Sequence, residues 1–164
     1  MPYISNLFGE PVTPATKKIK LRSIETRYRM EVVRENAPEW VTTRFTSPKQ
    51  IFEMFKDLQL ETKEHFITLH LDGKNRVVCL DRVSTGILNQ SLVHPREVFK
   101  SACMSGAAAI ILIHNHPTGD PTPSNEDIAI TNRLKECGDL LGIRILDHII
   151  IGEKYLSMVE YGHL

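Results

Sequence analysis

The spacing of apolar residues changes several times along the chain, and each change marks an element. Ile51, Phe52, Met54, Phe55 and Leu58 recur at helical spacing. Ser47-Pro48 stands just ahead of them, a capping residue followed by proline at the first helical position, so a helix begins there with these side chains facing a core. His65 to Leu71 alternates instead, with Phe66, Thr68 and His70 on one face and Ile67, Leu69 and Leu71 on the other, which is the period of a strand. Asp72-Gly-Lys-Asn75 has the chemistry of a turn, and Arg76 to Val83 predicts a returning strand and hence a hairpin. Ser84 to Leu92 reads as a loop, with Gly86 as its position of positive φ. His94-Pro95 opens a helix to about Met104, with Arg96 and Glu97 in its first turn.

Ala107 to Ile113 is an unbroken apolar run of strand length, as in a buried strand. Ser124 to about Leu141 is amphipathic: Ile128, Ile130, Leu134, Cys137, Leu140 and Leu141 fall mostly on one broad face, and Gly142 ends the helix. Ile143 to Ile151 predicts another, mainly apolar strand, and Gly152-Glu-Lys turns into a short last strand, Tyr155 to Val159. Residues 1 to about 17 show no sustained period and read as an extended arm. Thr26 to Arg34, with Met30, Val32 and Val33, predicts a strand. The expected organisation is an arm over residues 1–45, with that strand in it, and one domain over 46–164. Strands and helices alternate without doubly wound regularity, so the fold class is α/β of the mixed α+β kind. Neither Gly-x-Gly-x-x-Gly nor Gly-x-x-x-x-Gly-Lys-[Ser/Thr] occurs, so a nucleotide fold is not supported.

Composition narrows the classes further. A chain of 164 residues suits one domain, and 20 Lys+Arg against 20 Asp+Glu argue against a protein-wide attraction to nucleic acid. A local patch is still open: Lys17-Lys-Ile-Lys-Leu-Arg22 is basic, either a contact for DNA or an acidic partner or, as preferred, a solvated segment. No apolar run approaches the roughly 20 residues that span a bilayer, so no membrane association is expected. The N-terminus lacks the charged and apolar regions of a signal peptide. Cys79, Cys103 and Cys137 form no disulfide framework and no Cys-x-x-Cys pair, which suits reduced, mostly buried thiols and a cytoplasmic protein.

The chemistry lies where the apolar run ends. His114 and His116 are two apart, so in an extended chain both imidazoles point to one face. Pro117, Gly119, Pro121 and Pro123 force a tight loop, after which Asp127 enters the first turn of the long helix. Two histidines and a carboxylate, brought together by strand, loop and helix, form a three-ligand set of the catalytic zinc kind, with the fourth position left for water. Ser124-x-x-Asp127 also reads as a capping box, a purely local role.

His-x-His, seven residues, Ser, two residues, Asp resembles the signature of the JAMM (MPN-type) metalloproteases. In its extended form, His114-Asn-His-Pro-Thr-Gly-Asp-Pro-Thr-Pro-Ser124-Asn-Glu-Asp127, it is similar to the RadC branch of that family. His94-Pro-Arg-Glu-Val-Phe, Asp147-His-Ile-Ile-Ile-Gly and Ser157-Met-Val-Glu-Tyr-Gly also look like RadC segments in the same order, over about residues 46 to 164. The chain resembles a short form, without the helix-hairpin-helix module of long RadC proteins. The resemblance implies a mixed sheet flanked by helices, similar to that of the cytidine deaminases. Deaminase chemistry itself is not expected, because His-x-Glu and Pro-Cys-x-x-Cys are missing.

The resemblance further implies Zn2+ at His114, His116 and Asp127, a glutamate before the first core strand as general base, and the motif serine as donor to an oxyanion. Glu64 and Ser124 match those positions, and Glu97 is the second candidate for the base. Asp147 and His148 are open between two roles. They could be a buried pair satisfied by backbone groups, or they could orient a metal-bound histidine through its other ring nitrogen. His65, His70, His94 and His163 read as ordinary. A metallopeptidase or isopeptidase acting on a peptide or protein substrate is the leading expectation. A DNA repair accessory protein, with Lys17 to Arg22 and Arg96 as weak DNA contacts, is the alternative. A metal-stapled interaction module is disfavoured, because structural sites use four protein ligands. The hairpin, if it lies at a sheet edge, could also pair with a second copy.

Overall fold

The structure is a computed structural model that describes residues 23, 25, 27–30, 44–86 and 93–164. The chain divides into two units, Met1–Met30 and Glu31–Leu164. In the first, Arg27 pairs with Glu25 at 2.6 Å on the surface, and residues 27–30 adopt no strand. The strand expected over Thr26 to Arg34 is therefore absent at 27–30. Its remaining positions, and the Lys17 to Arg22 cluster, lie outside the described residues.

The second unit is a five-stranded mixed sheet with helices on both sides. Its elements are α1 (Pro48–Phe55), a 3-10 turn (Lys56–Leu60), β1 (Glu64–Leu71), β2 (Val77–Gly86), α2 (Pro95–Met104), β3 (Ala109–Asn115), α3 (Asn125–Leu141), β4 (Arg144–Ile151) and β5 (Tyr155–Ser157). The strand order is β2-β1-β3-β4-β5, with β3 and β4 parallel and the other pairs antiparallel. β2 thus stands at a sheet edge. It runs on to Gly86, which has φ 138°, through positions expected to be loop.

The alternation read in β1 divides two cores. Ile67, Leu69 and Leu71 join Ile111, Ile113, Ile149 and Ile151 under α1, whose Ile51 and Phe55 are buried. Phe66 joins Ile110 and Leu112 on the other face, under Val98, Phe99 and Leu134 of α2 and α3. β3 and most of β4 are buried on both faces, which explains the unbroken apolar run of β3 up to Ile113 and the mainly apolar one of β4.

Three starts follow local chemistry. Gln50 Oε1 accepts from the Thr46 N–H at 2.8 Å ahead of α1. His94 Nδ1 accepts from the Arg96 N–H at 3.0 Å and caps α2. Ser124 caps α3, and Gly142 ends it in the left-handed region at φ 71°. The buried line of α3, however, is Asp127, Thr131, Leu134 and Gly138. Leu140 is 88% exposed and Leu141 52%, against the expectation of a face that includes them. The helix thus turns Asp127, Thr131 and Gly138 inward beside Leu134. Its later turn also packs tightly: a Cβ on Gly138 would stand 2.4 Å from the Ile143 carbonyl oxygen. Cys103 is likewise exposed, at the solvent side of α2, while Cys79 and Cys137 are half-buried; all three are free thiols. Among the described residues no helix is long and apolar enough to cross a membrane.

Candidate metal centre

β3 stays extended beyond its last residue, because the His116 N–H donates to the Ile151 carbonyl at 2.8 Å. His114 and His116 therefore share a face, and α3 brings Asp127 to them. His114 Nε2 lies 2.9 Å from His116 Nε2 and 3.2 Å from Asp127 Oδ1, while His116 Nε2 lies 3.4 Å from Asp127 Oδ2. Two of the three residues are buried and His116 is half-buried. This group can hold a metal ion.

The donor set fits a cation. His116 Nδ1–H donates to the Asp120 carbonyl at 2.7 Å, so the nitrogen that faces the site offers a lone pair. Asp127 is a firm anion: burial opposes its charge, but His114, His116 and Ser124 hold its carboxyl well below the usual carboxylate range. Burial also opposes a charged His116, yet its bonds to Asp127 and to the Asp120 carbonyl, with the fields of Asp127 and Glu64, raise its pKa overall.

Ser124 is bound tightly to Asp127. Its hydroxyl donates to Asp127 Oδ2 at 2.6 Å, its N–H donates to the same oxygen at 2.8 Å, and its Oγ accepts from the Asp127 N–H at 3.1 Å. Asp127 thus belongs both to the capping box and to the group that can hold a metal ion. Glu64 is the first residue of β1, half-buried, on the same strand face as Phe66. Phe66 pairs with His114 across β1 and β3 and stacks on its ring at 6.2 Å. Glu64 accordingly bears on His116. Glu97 lies on the exposed surface of α2, paired with Lys100 at 2.7 Å and Arg96 at 3.1 Å.

Asp147 and His148 point to opposite faces of β4 and meet different partners. Asp147 accepts from the Ser157 hydroxyl at 2.6 Å and from the His148 and Val159 N–H groups at 2.7 and 3.2 Å. Burial nonetheless raises its pKa. His148 points to the other face, where its Nε2 lies 2.7 Å from His114 Nδ1 and its Nδ1 lies 2.6 Å from the Thr131 hydroxyl. The ring is fully buried, and burial followed by the neighbouring His114 pushes its pKa well below the usual histidine value.

Two participants carried no sequence signal of their own. Thr131 lies amid the apolar residues of α3, and its partner His148 is 17 residues away. Asn115, between His114 and His116, points to the opposite face. Its Oδ1 accepts from the His65 N–H at 2.8 Å, and its Nδ2 donates to the Lys63 and Leu58 carbonyls at 3.0 and 3.2 Å. His70 is the most enclosed of the histidines read as ordinary, bonded to Thr68 and Ser105 at 3.0 and 2.8 Å.

A mixed sheet brings two imidazoles and a carboxylate to one point, a group able to hold a metal ion. A model of the RadC-like JAB domain matches residues 45–163, and the chain belongs to that family. It is 63% identical over 123 residues to a UPF0758 protein of Pelobacter propionicus, covering 74% of this chain and 54% of that protein. A UPF0758 protein of Geotalea uraniireducens is 63% identical over 121 residues, covering 73% of this chain and 53% of that one. One from Methanosarcina mazei is 53% identical over 121 residues, with the same coverage. The chain thus spans about half the length of these curated relatives.

Proposed function

We propose that this domain is a zinc-dependent metallohydrolase that cleaves a peptide or isopeptide bond. The observation that carries the reading is the donor spacing. Ligand atoms about 2.0–2.1 Å from a tetrahedral zinc stand roughly 3.3 Å from one another. The separations at His114, His116 and Asp127 are 2.9, 3.2 and 3.4 Å. Among the described residues the group has three members, as in catalytic sites that keep one position open. When bound there, zinc supplies Lewis acidity, which acidifies water towards a pKa of about 7 and polarises a carbonyl.

The chain's own residues do the rest. Glu64, beside His116 at the mouth of β1, takes the proton of the attacking water and passes it to the leaving amine. Ser124 turns its hydroxyl from Asp127 to the oxyanion, while its N–H continues to hold the Asp127 carboxylate. Glu97 is tied into surface ion pairs and is the weaker base.

Metal analysis of the purified protein tests this directly. About one zinc per chain is expected, lost in His114→Ala and Asp127→Ala with far-UV circular dichroism unchanged. Across a panel of peptide and isopeptide substrates, Glu64→Gln should retain zinc and lose turnover. A wild-type protein that takes up no zinc refutes the site, and undiminished turnover in Glu64→Gln refutes the base.

A further inference from the structure

We infer that Thr131 and His148 fix the tautomer of the ligand His114, and are positioning residues for the metal. This deepens the metal-site reading and rests on it. The contacts behind His114 have a direction, and Thr131 sets it. The Thr131 hydroxyl has one proton, and gives it at 2.6 Å to the Asp127 carbonyl one turn back along α3, a group that can only accept. Thr131 Oγ1 therefore meets His148 Nδ1 with a lone pair, and Nδ1 must carry the imidazole proton. The His148 ring is fully buried and bonds to that hydroxyl and to His114, so it holds one proton and its Nε2 is bare. His114 then donates from Nδ1 to His148 Nε2 at 2.7 Å. What remains on His114 is the Nε2 lone pair, aimed at His116 and Asp127.

The alternative direction shows why this matters. If His148 carried its proton on Nε2, it would donate to His114 Nδ1, and the single proton of a neutral His114 would move to Nε2. That proton would occupy the place of the metal. His116 avoids the same fate by a different route, its Nδ1–H being held by the Asp120 carbonyl. One turn of α3 thus contributes twice: Asp127 as a ligand, and Thr131 as the hydroxyl that orders another ligand through His148. Valine would fill the space of Thr131 but could not set the direction, whereas serine could.

Long-range proton–nitrogen NMR of histidine-labelled protein reads each tautomer. In metal-free wild type His148 should be protonated at Nδ1 with a bare Nε2, which tests the inference without zinc. In the zinc-loaded protein His114 should be protonated at Nδ1. By chelator competition, Thr131→Val should bind zinc about 10- to 100-fold more weakly, and Thr131→Ser should restore near wild-type affinity. An Nε2-protonated His148 in wild type, or equal zinc affinity in Thr131→Val and Thr131→Ser, overturns the inference. A protein with the expected His148 tautomer that takes up no zinc refutes the metal reading and leaves the relay standing.

Discussion

The loop that carries His116 is braced from behind by a glycine, and adding one methyl group there should loosen the metal. Gly152 lies in the turn between β4 and β5. A Cβ built on it would stand 2.2 Å from the Gly119 carbonyl oxygen, 2.7 Å from the Gly119 carbonyl carbon and 2.9 Å from the Pro121 nitrogen. Gly152 is outside the left-handed region, so Gly152→Ala imposes no dihedral strain and its effect is steric alone. Real Cβ contacts essentially never fall below 3.0 Å, so the two backbones must part by about 0.8 Å or more.

Neither side yields freely. Gly119 O accepts from the Glu153 N–H at 2.7 Å, and Gln59 Nε2 donates to the Gly152 and Glu153 carbonyls at 2.6 and 3.1 Å. The movement passes to the 116–120 loop, where the Asp120 carbonyl orients His116. Overpacking of this kind costs about 1–3 kcal/mol. A misplacement near 1 Å costs on the order of 100-fold in a reaction that depends on alignment. Gly152→Ala should therefore show a lower Tm and zinc affinity reduced about 10- to 100-fold, measured by calorimetry and chelator competition. Gly73→Ala is the control, since nothing lies within 4 Å of its Cβ position. Wild-type zinc affinity and Tm in Gly152→Ala would refute the argument.

Three other outcomes are expected. Gly138→Ala should lower stability by about 1–3 kcal/mol through the 2.4 Å clash with the Ile143 carbonyl, read as a lower denaturant midpoint; an unchanged midpoint refutes it. Asp147 has a raised pKa because burial disfavours its charged form, so its contribution to stability is present at low pH and is lost as pH rises through that raised value. Asp147→Asn should then have a Tm at pH 7 no lower than wild type, with zinc affinity unchanged because Asp147 faces away from the ligands; a lower Tm refutes this. Asp72 is held down to about 2 by the Arg76 N–H, the Arg76 guanidinium and the Lys74 N–H. Its contribution is present above the ordinary value of 3.8 and is lost as pH falls through about 2, and a carboxyl NMR midpoint near 3.8 would contradict the turn geometry.

What could be read from the sequence was local. His114 and His116 share a face because strand alternation needs only adjacent residues, and Ser124 and Gly142 mark the ends of α3 through their own backbone chemistry. Asp72 and Asn75 turn the hairpin in the same way, Asn75 adopting φ 59°. What escaped depended on distant partners. The inward line of α3 contains Asp127, Thr131 and Gly138, so counting apolar residues turned the helix towards Leu140 and Leu141. Asp147 and His148 interrupt a mainly apolar run, a signal that something polar meets them, but that the partner of His148 is His114 depends on the parallel pairing of β3 with β4. Asn115 offered less still, because its partners at Leu58, Lys63 and His65 are reached only after the sheet has formed.

Asn115 binds main-chain atoms alone: the carbonyls of Leu58 and Lys63 and the N–H of His65. Its two contacts at residues 63 and 65 straddle Glu64, so the proposed base is indexed to the strand that carries the proposed metal ligands. The side chains at 63 and 65 take no part in that indexing. Lys63 is exposed. Position 63, next to Glu64, can therefore change its side chain without moving the proposed base relative to the proposed ligands. Replacing Asn115 would remove that freedom, because the same changes would then shift the base as well.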